Sequence, residues 1–227
     1  MRNHLQLFFC LTFVLLASTS AMAQLRIGAK AGANFAKVNY RVFPGILPQM
    51  NPSFQVGGYA ELPLALTDLT YLNFGLQLQG KGYKYVSDSM VYKTSATVNP
   101  LYIQVPVSLV FHGEDGGVFG GIGTYFAMGV AGKVKENVRS TIPANNSNTS
   151  ENVQFGNSDQ DHFRPFDFGA TIEFGYETQS GLRISGEYSW GLGDFRSQSI
   201  RGTKFIAPVN HRVASICLTY FFTTIGR

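Results

Sequence analysis

Eight charged residues recur at positions that could share one interior: Arg26, Lys30, Glu61, Lys81, Glu173, Glu177, Arg183 and Glu187. Each lies in a segment where apolar and polar residues alternate, on the polar side of the alternation. Charges held away from bulk water persist only when paired or hydrated. Two chemistries fit such a set: an ionic network filling an enclosed space, or a narrow polar pathway for water and small ions. Hairpin pairing would set Lys30 opposite Glu61 and Glu177 opposite Arg183, with Glu173 and Glu187 nearby. The network is the expected arrangement.

A second group has the residue types of hydrolytic or metal sites. His162 follows Asp159 and Asp161, and His211, Ser197 and Ser199 lie in connecting segments. A triad needs fixed mutual geometry, and these residues sit in loop-like stretches without motif spacing. Two carboxylates and one histidine make no ligand pattern, no Cys/His spacing suggests zinc, and no phosphate or dinucleotide fingerprint occurs. The expectation is no enzyme, no metal and no cofactor. The weakest alternative is a lipid A-modifying barrel enzyme using His162 or His211.

The elements that position the eight charges are strands, whose side chains alternate between two faces. Residues 25–36 set Ile27, Ala29, Ala31, Ala33 and Phe35 against Arg26, Lys30 and Asn34. The same pattern recurs over 54–65, 71–83, 100–111, 118–130, 165–177, 181–192 and 211–222. The apolar faces are nearly free of charge. Each segment is close to the ~9–11 residues that a tilted strand needs to cross a bilayer. Connections alternate between long (37–53, 84–99, 131–164, 193–210) and short (66–68, 112–116, 178–181). This rhythm predicts an all-β protein: an eight-stranded antiparallel up-and-down transmembrane β-barrel, polar inside and apolar toward lipid. Short turns and both termini would face the periplasm, and long loops the exterior. Pro106 removes a ladder donor, so a bulge or local irregularity is expected there. Aromatic residues near strand ends (Phe35, Phe166 and Trp190 outside; Phe111, Tyr176, Tyr220 and Phe222 inside) suit the headgroup level.

Residues 1–23 read as a cleaved signal peptide: Arg2, an apolar run from Leu5 to Leu16, and the small-x-small site Ala21-Met22-Ala23. Residues 24–227 would form the barrel domain. Removing Arg2 changes the formal charge from +4 to +3, or 17 Lys+Arg less 14 Asp+Glu. Dispersed charge and export argue against nucleic acid. Cys10 leaves with the signal, so Cys217 has no intramolecular partner and reads as a small structural residue.

Several segments resemble the PorT-like outer-membrane β-barrels of the Bacteroidota: Gly28-Ala29-Lys30-Ala31-Gly32-Ala33-Asn34-Phe35, Leu101-Tyr102-Ile103-Gln104-Val105-Pro106-Val107, Gly120-Gly121-Ile122-Gly123-Thr124-Tyr125, Arg164-Pro165-Phe166-Asp167-Phe168-Gly169, Tyr188-Ser189-Trp190-Gly191-Leu192 and Asn210-His211-Arg212-Val213. The resemblance implies an outer-membrane barrel of structural or interaction type, an accessory of type IX secretion or envelope assembly. It departs at the end, where Thr223 to Arg227 follow Phe222. The alternative is a narrow porin-like channel for small solutes. Expected partners are outer-membrane lipid, the barrel assembly machinery during insertion, and secretion or surface proteins engaging the four long loops. If the polar loop 131–164 binds such a partner, deleting 142–158 should abolish capture of that partner while leaving heat-resistant barrel assembly intact; loss of both would make the loop structural.

Overall fold

The computed structural model describes residues 25–39, 46–64, 69–113, 117–142, 146–158, 161–196 and 209–225. The expected signal peptide, Asp159, Ser197, Ser199 and most of 193–210 lie outside them, as do the turn at 66–68, residues 114–116 of the turn at 112–116 and residues 40–45 of the loop at 37–53.

Ten strands follow one another: β1 (Leu25–Val38), β2 (Ile46–Pro63), β3 (Thr70–Gly80), β4 (Tyr83–Asp88), β5 (Tyr92–His112), β6 (Val118–Ser140), β7 (Ser147–Asn152), β8 (Phe166–Glu177), β9 (Leu182–Gly191) and β10 (His211–Ile225). All pairings between them are antiparallel and run round a ring. β1 pairs with β2 and β10, β10 with β9, β9 with β8, β8 with β6, and β6 with β5. β3 and β4 complete it between β2 and β5. They are two segments of one stave, because Gly80↔Leu101 and Tyr83↔Val98 keep one register across the break at Lys81–Gly82. The ring therefore has eight staves. β7 is an addition beside the far end of β6.

Three expected loops are in large part strand. Within 37–53, β1 runs to Val38 and β2 begins at Ile46. Residues 84–99 form β4, a turn at Ser89–Val91 and the start of β5. Within 131–164, β6 continues to Ser140, and Ser147–Asn152 pair with it as β7. The physical reason is that ladder bonding is a main-chain interaction, indifferent to whether side chains are Asn, Ser or Val. β2, β4, β5, β6 and β7 thus project as a sheet beyond one end of the ring.

The ring is inside-out relative to a water-soluble protein. Its outward residues are apolar and exposed, among them Leu76, Ile122, Phe174, Ile184, Ile216 and Leu218. Its inward residues are polar and buried, among them Asn34, Gln55, Glu61, Asn73, Gln77, Gln79, Lys81 and Gln104. Inward glycines make room for this content: a Cβ at Gly121 would lie 2.9 Å from the Glu173 side chain. Gly117 and Gly181 have φ of +86° and +82° beside the short turns, a conformation that costs glycine nothing.

Pro106 does not create a bulge. It stays in register with Tyr125 on β6. On its other side the β3–β5 ladder lapses between Phe74↔Val107 and Gln77↔Gln104 without a shift, which is the local irregularity expected from a missing N–H. The bulge lies at Val130 instead, where Leu101 pairs with Ala131 but Tyr102 with Gly129. Leu218, midway along the apolar face of β10, tests the lipid-facing assignment. Leu218→Arg is expected to cost about 2–4 kcal/mol in urea unfolding from lipid vesicles, whereas Thr219→Ser on the inward face should change it little.

Candidate functional site: the interior polar column

The alternation of each strand delivers its polar residues to the lumen, where they meet in three layers. At the short-turn end, Arg26 from β1, Glu61 from β2, Glu177 from β8 and Arg183 from β9 form a closed ionic cluster. Arg26 Nη1 donates to Glu61 Oε2 at 2.7 Å, and Arg26 Nη2 donates to Glu177. Arg183 Nη2 donates to Glu61 Oε1 at 2.9 Å and to Glu177 Oε2 at 2.5 Å. All four carboxylate oxygens are thereby taken. The guanidiniums also lie over rings, Arg26 4.4 Å from the Phe221 centroid and Arg183 4.2 Å from that of Phe119. His112, stacked on Phe119, lies 3.3 Å from Arg183 Nη2.

Glu61, His112 and Glu177 bring three ligand-type atoms within 4.8 Å of one another. They do not make a metal centre. Two guanidiniums already occupy both carboxylates, and a divalent cation would have to displace them against their charge.

In the middle layer Lys30 donates to Glu187. Gln55 bridges the layer: its Nε2 lies 3.1 Å from Glu187 Oε2 and 2.6 Å from Cys217 Sγ, and its Oε1 accepts from Gln79 Nε2 at 3.1 Å. Tyr59 donates to Gln77 Oε1 at 2.6 Å, and Ser108 to Glu173 Oε1 at 3.4 Å. A cavity of about 20 Å³ remains between Lys30, Tyr59, Gln77, Gln104, Glu173 and Glu187. That is room for about one water.

The third layer is nearest the projecting sheet. Lys81 Nζ donates to Asp167 Oδ2 at 2.7 Å, and both side chains are 0% exposed. Tyr125 donates to the same oxygen at 3.2 Å. Lys81 Nζ lies 3.9 Å from the Tyr125 ring centroid and 5.2 Å from that of Tyr102. Above this layer His211 stacks on Phe195 at 4.2 Å. Val38, Tyr83, Val98, Val153, Phe163, Phe195 and Val209 form an apolar cap across the mouth. A cavity of about 360 Å³ opens among Tyr83, Tyr85, Phe163, Phe195 and Val209 and shares no lining residue with the cavity below.

All eight expected charges therefore point inward, but the pairing differs in part. Glu177 and Arg183 are cross-strand partners. Lys30 is not opposite Glu61: Arg26 is, and Lys30 faces Gly57 and reaches Glu187 instead. A strand's alternation fixes its face, while a shift by an even number of residues, here four, keeps the face and changes every partner. Glu173 and Glu187 are direct cross-strand neighbours. Lys81 stands apart from the other seven with Asp167, which the polar face of 165–177 had signalled. Gln55 and Tyr125 are also part of the column, on the polar faces of 54–65 and 118–130, and so is His112, which the expected turn 112–116 had placed outside a strand but which ends β5.

Of the hydrolytic candidates within the described residues, His211 hydrogen-bonds neither Asp161 nor His162. His211 is not in a loop: it opens β10 and is 1% exposed, packed as a ring among rings. His162 Nδ1 accepts the Gln154 N–H at 3.1 Å. Asp161 accepts from the Ser158 hydroxyl and amide, both at 2.7 Å, and these hydrogen bonds hold its carboxyl below the ordinary carboxylate range. Asp194 is clamped by Arg196 through two side-chain hydrogen bonds. Burial pushes this carboxyl up, but the guanidinium and backbone donors outweigh it and leave it lowered.

A ring of antiparallel staves with a polar column inside and an apolar belt outside defines a membrane β-barrel. Residues 17–197 match the model of a family described as an outer membrane protein beta-barrel domain. The chain belongs to that family, and its place is the outer membrane. No curated protein matches it in sequence. Among solved structures it is similar to Neisserial surface protein A, with 10% identity and a TM-score of 0.41 over 86% of this chain and 97% of that one. It is also similar to Ail, the attachment invasion locus protein of Yersinia pestis (10% identity, TM-score 0.39, 88% and 99% covered). OprG from Pseudomonas aeruginosa compares at 11% identity and a TM-score of 0.34, with 88% and 96% covered. At these scores nothing about those proteins' activities transfers to this chain.

Lys81 and Asp167 offer the sharpest test of the column. Lys81→Met leaves a buried carboxylate alone and is expected to cost about 3–5 kcal/mol. The double variant K81M/D167L, which removes both charges, should be more stable than K81M. Urea unfolding in vesicles of K81M, D167L, the double variant and the parent measures the coupling; additive losses would show that the pair does not act as a unit.

Proposed function

We propose that this protein is a plugged outer-membrane barrel of structural or interaction type. Its eight staves cross the bilayer, its short turns and termini face the periplasm, and its projecting sheet stands outside the cell. The observation that carries this reading is the filled lumen: three layers of hydrogen-bonded polar side chains beneath an apolar cap, with space for about one water at the middle. An eight-stranded ring is only wide enough for side chains or one small ligand. Partners are therefore met on the outside of the barrel, by the projecting sheet and the connections at 37–53, 84–99, 131–164 and 193–210.

The same filling weighs against a porin-like channel. Reconstituted in planar bilayers, the purified protein is expected to give no steady unit conductance. Open channels of regular size, altered by Lys30→Ala or Glu187→Ala, would replace this reading with the channel.

The resemblance to PorT-like barrels supports a narrower role, as an accessory of type IX secretion or envelope assembly. A clean deletion in the native organism distinguishes the two. Loss of proteins bearing type IX sorting domains from the surface and medium is the result expected of the secretion role. An unchanged secretome together with altered detergent sensitivity would leave the envelope role.

A further inference from the structure

The bulge at Val130 has an effect on charge. Below it, the even residues of β6 face lipid, with Phe126, Met128 and Val130 exposed. Above it the alternation is inverted relative to β5, whose own alternation continues unbroken. Val98 and Ala96 remain buried inward, so Asn99, Thr97, Ser95 and Lys93 face outward. Their β6 partners are Lys133, Lys135, Asn137 and Arg139, in the pairs Asn99↔Lys133, Thr97↔Lys135, Ser95↔Asn137 and Lys93↔Arg139. On the other side of β5, Lys84 pairs with Thr97 and Asp88 with Lys93. Lys84 and Lys135 thus flank Thr97 in one cross-strand row.

One face of the projecting sheet therefore carries five cations (Lys84, Lys93, Lys133, Lys135, Arg139) against one carboxylate, Asp88, a net of +4. Asp88 is engaged by Lys93 at 3.2 Å. Among the described residues no acid pairs with the other four. The nearby carboxylates are segregated to the opposite face: Glu136 pairs with inward Ala96, and Glu151 with Val134, which packs against the apolar cap.

This basic face is the upward continuation of the lipid-facing belt. With ~3.4 Å per residue and a tilt of ~40°, each residue adds about 2.5 Å of height. Lys133 then stands about 5–8 Å, and Lys135 with Lys84 about 10–13 Å, above Val130, the last exposed large apolar residue of β6. A headgroup layer is about 5–8 Å thick on each side of the hydrocarbon, and lysine stems bend to place their ammonium groups at a preferred depth. Clustered cations at that level attract anionic headgroups.

We propose that Lys133, Lys135 and Lys84 form a binding site for the phosphate groups of outer-leaflet lipid, with Arg139 and Lys93 adding to the field from above. The site rests on the outer-membrane orientation proposed above. It would fix the height of the barrel and hold an ordered patch of lipid beside the β4–β5–β6 side of the wall.

The purified protein in nanodiscs of phosphatidylcholine doped with bisphosphorylated lipid A provides the test, with native mass spectrometry reading the lipids retained on the ejected barrel. The parent protein is expected to retain lipid A over phosphatidylcholine. The K84Q/K133Q/K135Q variant should lose that preference by about tenfold, and dephosphorylated lipid A should show none with either protein. Equal retention by the variant, or equal retention of dephosphorylated lipid A, overturns the site. Heat-modifiable gel mobility of parent and variant reports insertion separately: a parent that fails to insert overturns the barrel reading, and this site with it.

Discussion

A ring of eight staves with lipid outside leaves its inward side chains only one another and the strand backbone as partners. The lumen is too narrow for bulk water, so the charged groups that the strand alternation sends inward find their partners across it. The rest of the structure follows from this constraint. It explains why inward positions alternate between long charged residues and glycines, and why Gln55 makes contacts with three different strands. It also explains why the guanidiniums of Arg26 and Arg183 are used on both their edges and their faces, against carboxylates and against Phe119 and Phe221. A layer built this way resists opening, because removing one member strands another in a place where water cannot replace it.

The same constraint separates the ends of the molecule. At the short-turn end the ring is sealed by ions. At the other end it is closed by an apolar cap and continued by a sheet that projects beyond the ring. That sheet is held by ladder bonds and by the cap beneath it, and its outward face is free to carry charge. The one-residue insertion at Val130 is what allows both. It turns Val134 inward to the cap and Lys133 and Lys135 outward in the same step. A protein whose lumen is filled has its surface left for interaction, and the bulge determines the chemistry of that surface at the membrane boundary.

Much of this was legible in the residues. Period-two alternation identified the strands and their polar faces, the long-short rhythm identified an up-and-down ring, and the eight charges lie on the polar side of that alternation. The sequence could not say which charges meet. Alternation is unchanged by any even shift, so Lys30 against Glu61 and Arg26 against Glu61, four residues apart, were equally consistent with it. Nor could composition distinguish loop from strand over 84–99 and 131–164, because pairing there is made by main-chain groups that every residue carries.

By itself, then, the sequence determined the solvent on each side of the wall, since hydrophobicity is a property of single residues and their period. Only the tertiary structure decided the partners, because these depend on register and on bulges, which are set by several strands together. Lys81 illustrates the difference. Its type and position marked it as inward, but that it is neutralised by Asp167 and packed against Tyr125 follows from closure of the ring, which brings β8 and β6 across the lumen from the break between β3 and β4.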